Sequence, residues 1–318
     1  MSPKGVIDLK RVIMIHIFII NAYAGDDRFS AGLRNHLSKR TDIKYYILHS
    51  RSRENETELA REVMNLFEGE DIRIYSCGGS GTFRNVLQGI DDLSKVELAF
   101  YPKGLTNDFL KCFGDKEKYF RDIDNLIDGV PVLIDYIETN HGRALNTFSV
   151  GIDTVQVEET NFFRPMLLFG KNIPYYLGFL AAIVKYVPID AEVIADGQKY
   201  TGRFTEAFLS NGFVIGGALW MDESADYNDG KGRFVLFRNM KVLERVKALY
   251  QCVRKNIKIL DKYGVLGYVS DMTVRRSDGV PFVADFDGEL QPPQREWSAR
   301  IIHNGLRFVV PKEVLSDE

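Results

Sequence analysis

The chain is poor in the residues that announce a disulfide scaffold or a metalloenzyme. Its 318 residues include only three cysteines, Cys77, Cys112 and Cys252, widely spaced and without a C-x-x-C pair. That excludes a disulfide framework and a thiolate zinc site, and it makes a reducing cytoplasm the expected home. Five histidines form no H-x-x-x-H or H-E-x-x-H pair, so the common zinc-protease reading falls away. Neither sign of charge dominates: the net charge is -3, which excludes a protein that coats nucleic acid. There is no fixed-period repeat and no low-complexity segment. The apolar stretch "IPYYLGFLAAIVKYV" falls short of the ~20 residues of a membrane span. It opens with a proline suited to a helix start and reads as a core helix, with a lipid-facing surface as the other reading.

What the chain does have is enough apolar material for a sizeable core. Hydrophobic residues make up 45% and charged residues 27%, and the length suits two ordinary domains or one large one. At the N-terminus Lys4, Lys10 and Arg11 precede "VIMIHIFII", and "AYA" at 22–24 imitates a signal-peptidase site. The run reads instead as a buried parallel strand, because cleavage after Ala24 would discard the first element of a repeating pattern.

In that pattern "VIMIHIFII" precedes a helix around 29–39, "IKYYILHS" one around 54–67, "IRIYSC" one from 82, and "VELAFYP" a short one from 106. Such alternation predicts a doubly wound parallel sheet with ligands at the carboxyl ends of the strands. Each of those ends carries a polar or glycine-rich turn: "NAYAG", "HSRSR", "CGGSGT" and "PKGLTND". Past about residue 130 the texture becomes short strand-like runs separated by turns, with helices near 174–187 and 240–260, which predicts an antiparallel, sandwich-like second domain. The expected division is an α/β nucleotide-binding domain over 1–129 and a β-rich lipid-substrate domain over 130–318, with the last residues free to pack back on the first. The expected active site lies in the cleft between them.

The stretch "YSCGGSGTFRNVLQGI", residues 75–90, joins a strand end, a glycine turn and a helix N-terminus. Unpaired amides converge at such a junction and the helix dipole favours an anion there. Gly78, Gly79 and Gly81 permit close backbone approach, and Thr82 stands in the first turn. Other motifs fail on spacing. A P-loop needs a lysine after Gly81, a nucleophile elbow needs glycine at Thr82, and a dinucleotide fingerprint needs glycine at Arg84. A serine hydrolase would have to draw its base from His141 or His303.

Six segments in sequence order resemble the diacylglycerol kinase catalytic-domain family, the bacterial lipid kinases related to sphingosine and ceramide kinases and, more distantly, to NAD kinase and phosphofructokinase. "NAYAG" resembles N-P-x-[SA]-G, "GGSGTFRNVLQG" resembles G-G-D-G-T-x-x-E-V-x-N-G, and "YPKGLTNDFLKCFG" resembles P-x-G-T-x-N-D-F-A-R-x-L-G. "LNTFSVGID", "GGALWMDESADYNDGKGRF" and "DFDGEL" continue the match. The departures are Ser80 for aspartate, Asn85 for glutamate, Leu105 for threonine, Ala22 and Asp222 for prolines, and Asn228 for aspartate.

The resemblance implies ATP and Mg²⁺ as cofactors. It implies a nucleotide site from Asn21, Ala24, Gly25, Ser50, Gly78, Gly79, Ser80, Gly81, Thr82, Gly104, Thr106, Asn107 and Asp108. It implies Glu289 as the general base with Asp287 supporting it, and a structural magnesium held by Asp229 with Asp226 and Lys231. The implied activity is γ-phosphoryl transfer to a lipid alcohol such as diacylglycerol. The other reading is a relative that binds nucleotide or lipid without turnover, since serine at position 80 cannot supply the charge of a metal-holding carboxylate. The partners implied are a nucleotide and a lipid, with peripheral membrane contact and a homodimer left open.

Overall fold

The computed structural model describes residues 14–21, 27–52, 55–104, 107–170, 173–216, 219–222 and 226–316. Its first third alternates strands and helices: β1 Ile15–Ile20, α1 Asp27–Leu37, β2 Lys44–His49, α2 Asn55–Leu66, β3 Ile72–Gly78, α3 Ser80–Gln88 and β4 Val96–Pro102. The strands run parallel in the order β2-β1-β3-β4. β1 and β3 are buried at every position, as a parallel strand covered by helices on both faces must be. β1 therefore takes the strand reading of the N-terminal apolar run over the part of it that is described.

Register places the turns side by side. Ile20 lies opposite both His49 and Cys77, and Gly78 opposite Pro102. Asn21, Ser50, the glycine turn and the loop from Lys103 thus leave the sheet along one edge, the carboxyl edge where such sheets bind ligands. After β4 comes an irregular 3₁₀ stretch, Asp108–Arg121, broken at Gly114 where φ is 56°. The sequence reading expected only a short helix here.

The remainder is mainly antiparallel. After α4 Ile123–Ile127 come β5 Val130–Thr139, β6 Gly142–Ala144, β7 Thr147–Gly151, α5 Ile152–Phe162 and α6 Ile173–Lys185. Then follow β8 Ile189–Ala195, β9 Gln198–Ser210, β10 Val214–Ile215, β11 Leu219–Trp220, β12 Gly232–Arg238 and α7 Val242–Val253. The chain closes with β13 Gly264–Val269, β14 Asp271–Arg276, β15 Phe282–Phe286, β16 Glu289–Gln294, β17 Glu296–Val310 and α8 Lys312–Leu315. β17 joins the two parts. Its first half pairs antiparallel with β14, and Arg307 and Phe308 pair parallel with β4.

Two helices depart from the sequence expectation. α5 follows the strand run ending at 152 and had no element expected in it; its buried face carries Thr154, Gln156 and Glu159 beside Val157, too polar for the apolar period that marks a helix. α6 is buried on one face only, through Pro174, Gly178, Ala182 and Ile183. A Cβ on Gly178 would stand 2.2 Å from the Thr160 hydroxyl, so the glycine lets α6 lie against α5. The opposite face, with Leu180 and Val184, is exposed.

Candidate functional site

The glycine turn is built for close backbone approach from two sides. Gly79 is extended, and no side chain caps the N-terminus of α3, so its first amides face outward for an anion. The Gly78 carbonyl accepts hydrogen bonds from the Lys103 and Gly104 amides at 2.7 and 3.2 Å. A Cβ on Gly104 would stand 2.5 Å from the Gly79 Cα, so the two loops touch where neither has a side chain. Asn21 Nδ2 donates to the Thr82 hydroxyl at 2.9 Å, tying the end of β1 to the first turn of α3. Asn107, in left-handed conformation with φ 45°, donates from Nδ2 to the Gly104 carbonyl at 3.0 Å. Asp108 accepts from the Gly216 amide at 2.5 Å.

Gly81 offers the cleanest probe of this cradle. A Cβ there would meet only the Glu289 carboxylate, at an ordinary 3.8 Å. Gly81→Val is therefore expected to fold normally while its side chain crowds the amides and weakens binding of a phosphate-bearing ligand, with ATP as the probe, about tenfold or more. Titration calorimetry on a variant of unchanged melting temperature checks this, and undiminished affinity would count against the cradle.

Opposite the turn is the β15–β16 hairpin. Phe286 pairs with Glu289, leaving Asp287 and Gly288 as a two-residue loop with φ of 52° and 84°, the conformation that an Asp-Gly pair suits. The Asp287 carboxylate accepts from the amides of Leu145, Asn146 and Thr147 at 2.7, 2.9 and 2.8 Å. It thereby locks the hairpin onto the start of β7, a positioning role. Glu289 Oε2 forms an ion pair with Arg84 Nη2 at 2.5 Å, which holds the carboxylate against the first turn of α3.

Between turn and hairpin lies a cleft of about 480 Å³, within the range that takes a small-molecule ligand. Gly79, Ser80, Gly81, Gly104, Asp108 and Asp287 all line it. Gly78, Thr82, Asn21 and Asn107 stand behind as supports. Ser50 is buried and donates its amide to Ile20 at the end of β2; it is not on the cleft wall. Ala24, Gly25 and Thr106 lie outside the described residues. Asp226, Asp229 and Lys231 share a separate turn away from the cleft lining, where the Asn228 amide donates to Asp226 and the Lys231 amide to Asp229. That turn offers oxygen donors, the kind magnesium takes. Each carboxylate has one oxygen engaged by its own loop, and among the described residues no three acidic, His or Cys side chains converge to hold a metal.

Three carboxyl groups and one guanidinium had escaped assignment. Asp285 and Asp153 line the cleft, and Glu206 accepts from the Asp153 amide at 3.1 Å. Burial raises all three acids: Asp153 to about 6, and Glu206 and Asp285 well above the usual range, with Asp153 adding like-charge repulsion to the latter two. Arg84 is buried, shares Nη2 between Glu289 and Asn85, and has an Nε without a partner among the described residues. Asn85 donates in turn to Glu56 at 3.1 Å, a buried carboxylate from α2. The sequence signals for these residues were Asp285 beside the D-G-E, Asp153 in "VGID", and a cation one turn beyond the glycines.

The raised Asp153 makes stability depend on pH. Its ordinary value is 3.8 and its folded value about 6, so the folded chain holds an extra proton between them. The stabilisation is complete below 3.8 and is lost as pH rises through 6. Asp153→Asn, neutral throughout, should match wild type at pH ~4 and exceed it by up to about 3 kcal/mol near pH ~8. Urea unfolding at both pH values tests this; an equal gain at both would mean that titration is not the cause.

Residues 16–139 match the model of the "Diacylglycerol kinase catalytic domain". The chain is 31% identical over 253 residues to the "Putative lipid kinase YtlR" of Bacillus subtilis (strain 168), spanning 73% of this chain and 78% of that protein. The fold is that of two Bacillus anthracis (strain Sterne) structures. The first, "Crystal structure of a putative diacylglycerol kinase", has TM-score 0.75 at 18% identity, over 98% of this chain and all of the other. The second, "A putative diacylglycerol kinase", has TM-score 0.70 at 16% identity, over 95% of this chain and 98% of the other. With a family model matching residues 16–139 and a relative 31% identical over 73% of this chain's length, the chain belongs to the diacylglycerol kinase catalytic-domain family.

Proposed function

We propose that the protein is an ATP-dependent lipid kinase that transfers the γ-phosphoryl group to the hydroxyl of a lipid alcohol of the diacylglycerol or long-chain-base type. The observation that carries this reading is the placement of Glu289 against the N-terminal turn of α3. A proton acceptor then stands beside the phosphate cradle, its carboxylate 3.8 Å from where a Cβ on Gly81 would lie although Glu289 is not itself on the cleft wall. Transfer from a triphosphate to an alcohol needs the two close together. In the proposed step the acceptor hydroxyl gives its proton to Glu289 as its oxygen bonds to the γ-phosphorus, and ADP leaves with the electrons of the broken P–O bond. A divalent cation, when bound with ATP, would offset the phosphate charge.

A small apolar cavity of about 80 Å³ lies beside the cleft and shares Asp153, Gln156 and Ile215 with it. Phe179, Ile183, Phe208 and Met240 line its far side, chemistry suited to the hydrocarbon of an acceptor rather than to a sugar or a second nucleotide. Incubation with labelled ATP and Mg²⁺ against diacylglycerols, long-chain bases and a water-soluble alcohol tests the proposal. A labelled lipid product is expected. ATP binding without label on any lipid would overturn it.

A further inference from the structure

We infer that Glu56 is a positioning residue: from the first turn of α2 it holds Arg84, through the Asn85 amide, at the edge of the phosphate cradle. Asparagine stands at position 85 where the motif resemblance sets a glutamate. The carboxylate is present nonetheless, brought in from the neighbouring helix. Close backbone contact makes this possible. A Cβ on Gly89 would stand 2.2 Å from the Thr57 carbonyl oxygen, so α2 crosses α3 where a glycine leaves room. The Thr57 hydroxyl donates to the Asn85 carbonyl at 2.9 Å and fixes the crossing. Glu56, one residue earlier and 1% exposed, then reaches the Asn85 side chain.

Glu56 Oε2 accepts from Asn85 Nδ2 at 3.1 Å, while Asn85 Oδ1 accepts from Arg84 Nη2 at 2.9 Å. A guanidinium only donates and a carboxylate only accepts. The amide between them therefore has one orientation that serves both, and each neighbour enforces it. Without Glu56 the amide is free to turn, which would set donor against donor and release the guanidinium. Glu56 Oε1 and Arg84 Nε are both buried with no partner among the described residues, a cost that a link built only to fasten two helices does not need. Arg84 Nη2 also grips Glu289. A buried polar path thus runs from α2 through Asn85 and Arg84 to the proposed base, across the helix that carries the cradle. A guanidinium fixed on its Asn85 side loses little freedom when Glu289 gives way to a phosphate oxygen on the other, and such preorganisation lowers the barrier to transfer. This use of Arg84 rests on the lipid-kinase reading; the path that holds it does not.

Urea unfolding of Glu56→Ala, Arg84→Met and the double variant tests the path without any turnover: the two losses should fall short of additive. Strict additivity overturns the inference whether or not the protein transfers phosphate. With a lipid that wild type accepts, Glu56→Ala should lower kcat about tenfold or more at unchanged KM for that lipid. Glu56→Gln, which can still accept from Asn85, should fall between the two. Glu56→Ala/Asn85→Glu sets a carboxylate directly beside Arg84 in the space vacated, and should recover most of the lost kcat. A residue that only fastens α2 to α3 would not be replaced in this way, because the new carboxylate reaches Arg84 without touching α2. Unchanged kcat in Glu56→Ala overturns the inference, as does a swap variant of wild-type melting temperature that stays as slow as Glu56→Ala. Non-additive unfolding together with no label on any lipid would instead remove the kinase reading and leave Glu56 holding Arg84.

Discussion

Glu289→Gln is expected to leave ATP affinity at the wild-type level and to lower phosphoryl transfer about 10²–10⁴-fold, the usual contribution of a general base. The substitution changes almost nothing but charge. The side chain leaves the strand immediately after the Asp287–Gly288 turn, which stays locked by the three amide bonds to Asp287. A glutamine oxygen can still accept from Arg84 in place of the present ion pair. What disappears is the capacity to take the proton of the acceptor hydroxyl. Single-turnover measurement with labelled ATP separates this from binding. Unchanged transfer to an accepted lipid would remove Glu289 from the base role and leave it as a tether for Arg84.

The parts of the fold that the sequence disclosed are those whose cause is local. β1 and β3 read as buried strands because each is a short apolar run ending in a turn, and the cradle read as such because Gly79 and Gly104 answer a close backbone contact and Gly78 lies against the Thr82 side chain. The acids at 153, 206 and 285 belong to three different elements. They meet only because β7 pairs with both β9 and β15, a long-range arrangement that no window of sequence contains. α5 was missed for a related reason: the cleft lies on its inward side, so Gln156 and Thr160 face a ligand space rather than a core. The turn 226–231 is expected as a cation site only through the family resemblance, and in the fold one oxygen each of Asp226 and Asp229 accepts from an amide of its own loop. Such local side-chain to backbone bonds are not visible in a motif match.

Arg84→Met is expected to lower turnover by about 10²–10³-fold, the scale of losing a preorganised donor or an arginine aimed at transferring phosphate. The first turn of α3 contains no acidic residue, and Ser80 faces the cleft where a carboxylate would otherwise stand. One turn further the same helix carries a buried guanidinium whose Nη2 grips Glu289 while Nε has no partner among the described residues. A planar cation with donors to spare suits phosphate oxygens, so a triphosphate in the cradle would compete with Glu289 for Arg84 and free the carboxylate to accept the hydroxyl proton. Methionine keeps helix propensity and volume but removes both functions. Arg84→Lys, retaining charge without the fork, should fall between the two. Glu289→Gln/Arg84→Met should cost less than the two single effects combined, because each removes the same contact. An Arg84→Met protein with wild-type turnover would show that the ion pair only fastens the hairpin to α3, and strictly additive losses would place the two residues in separate roles.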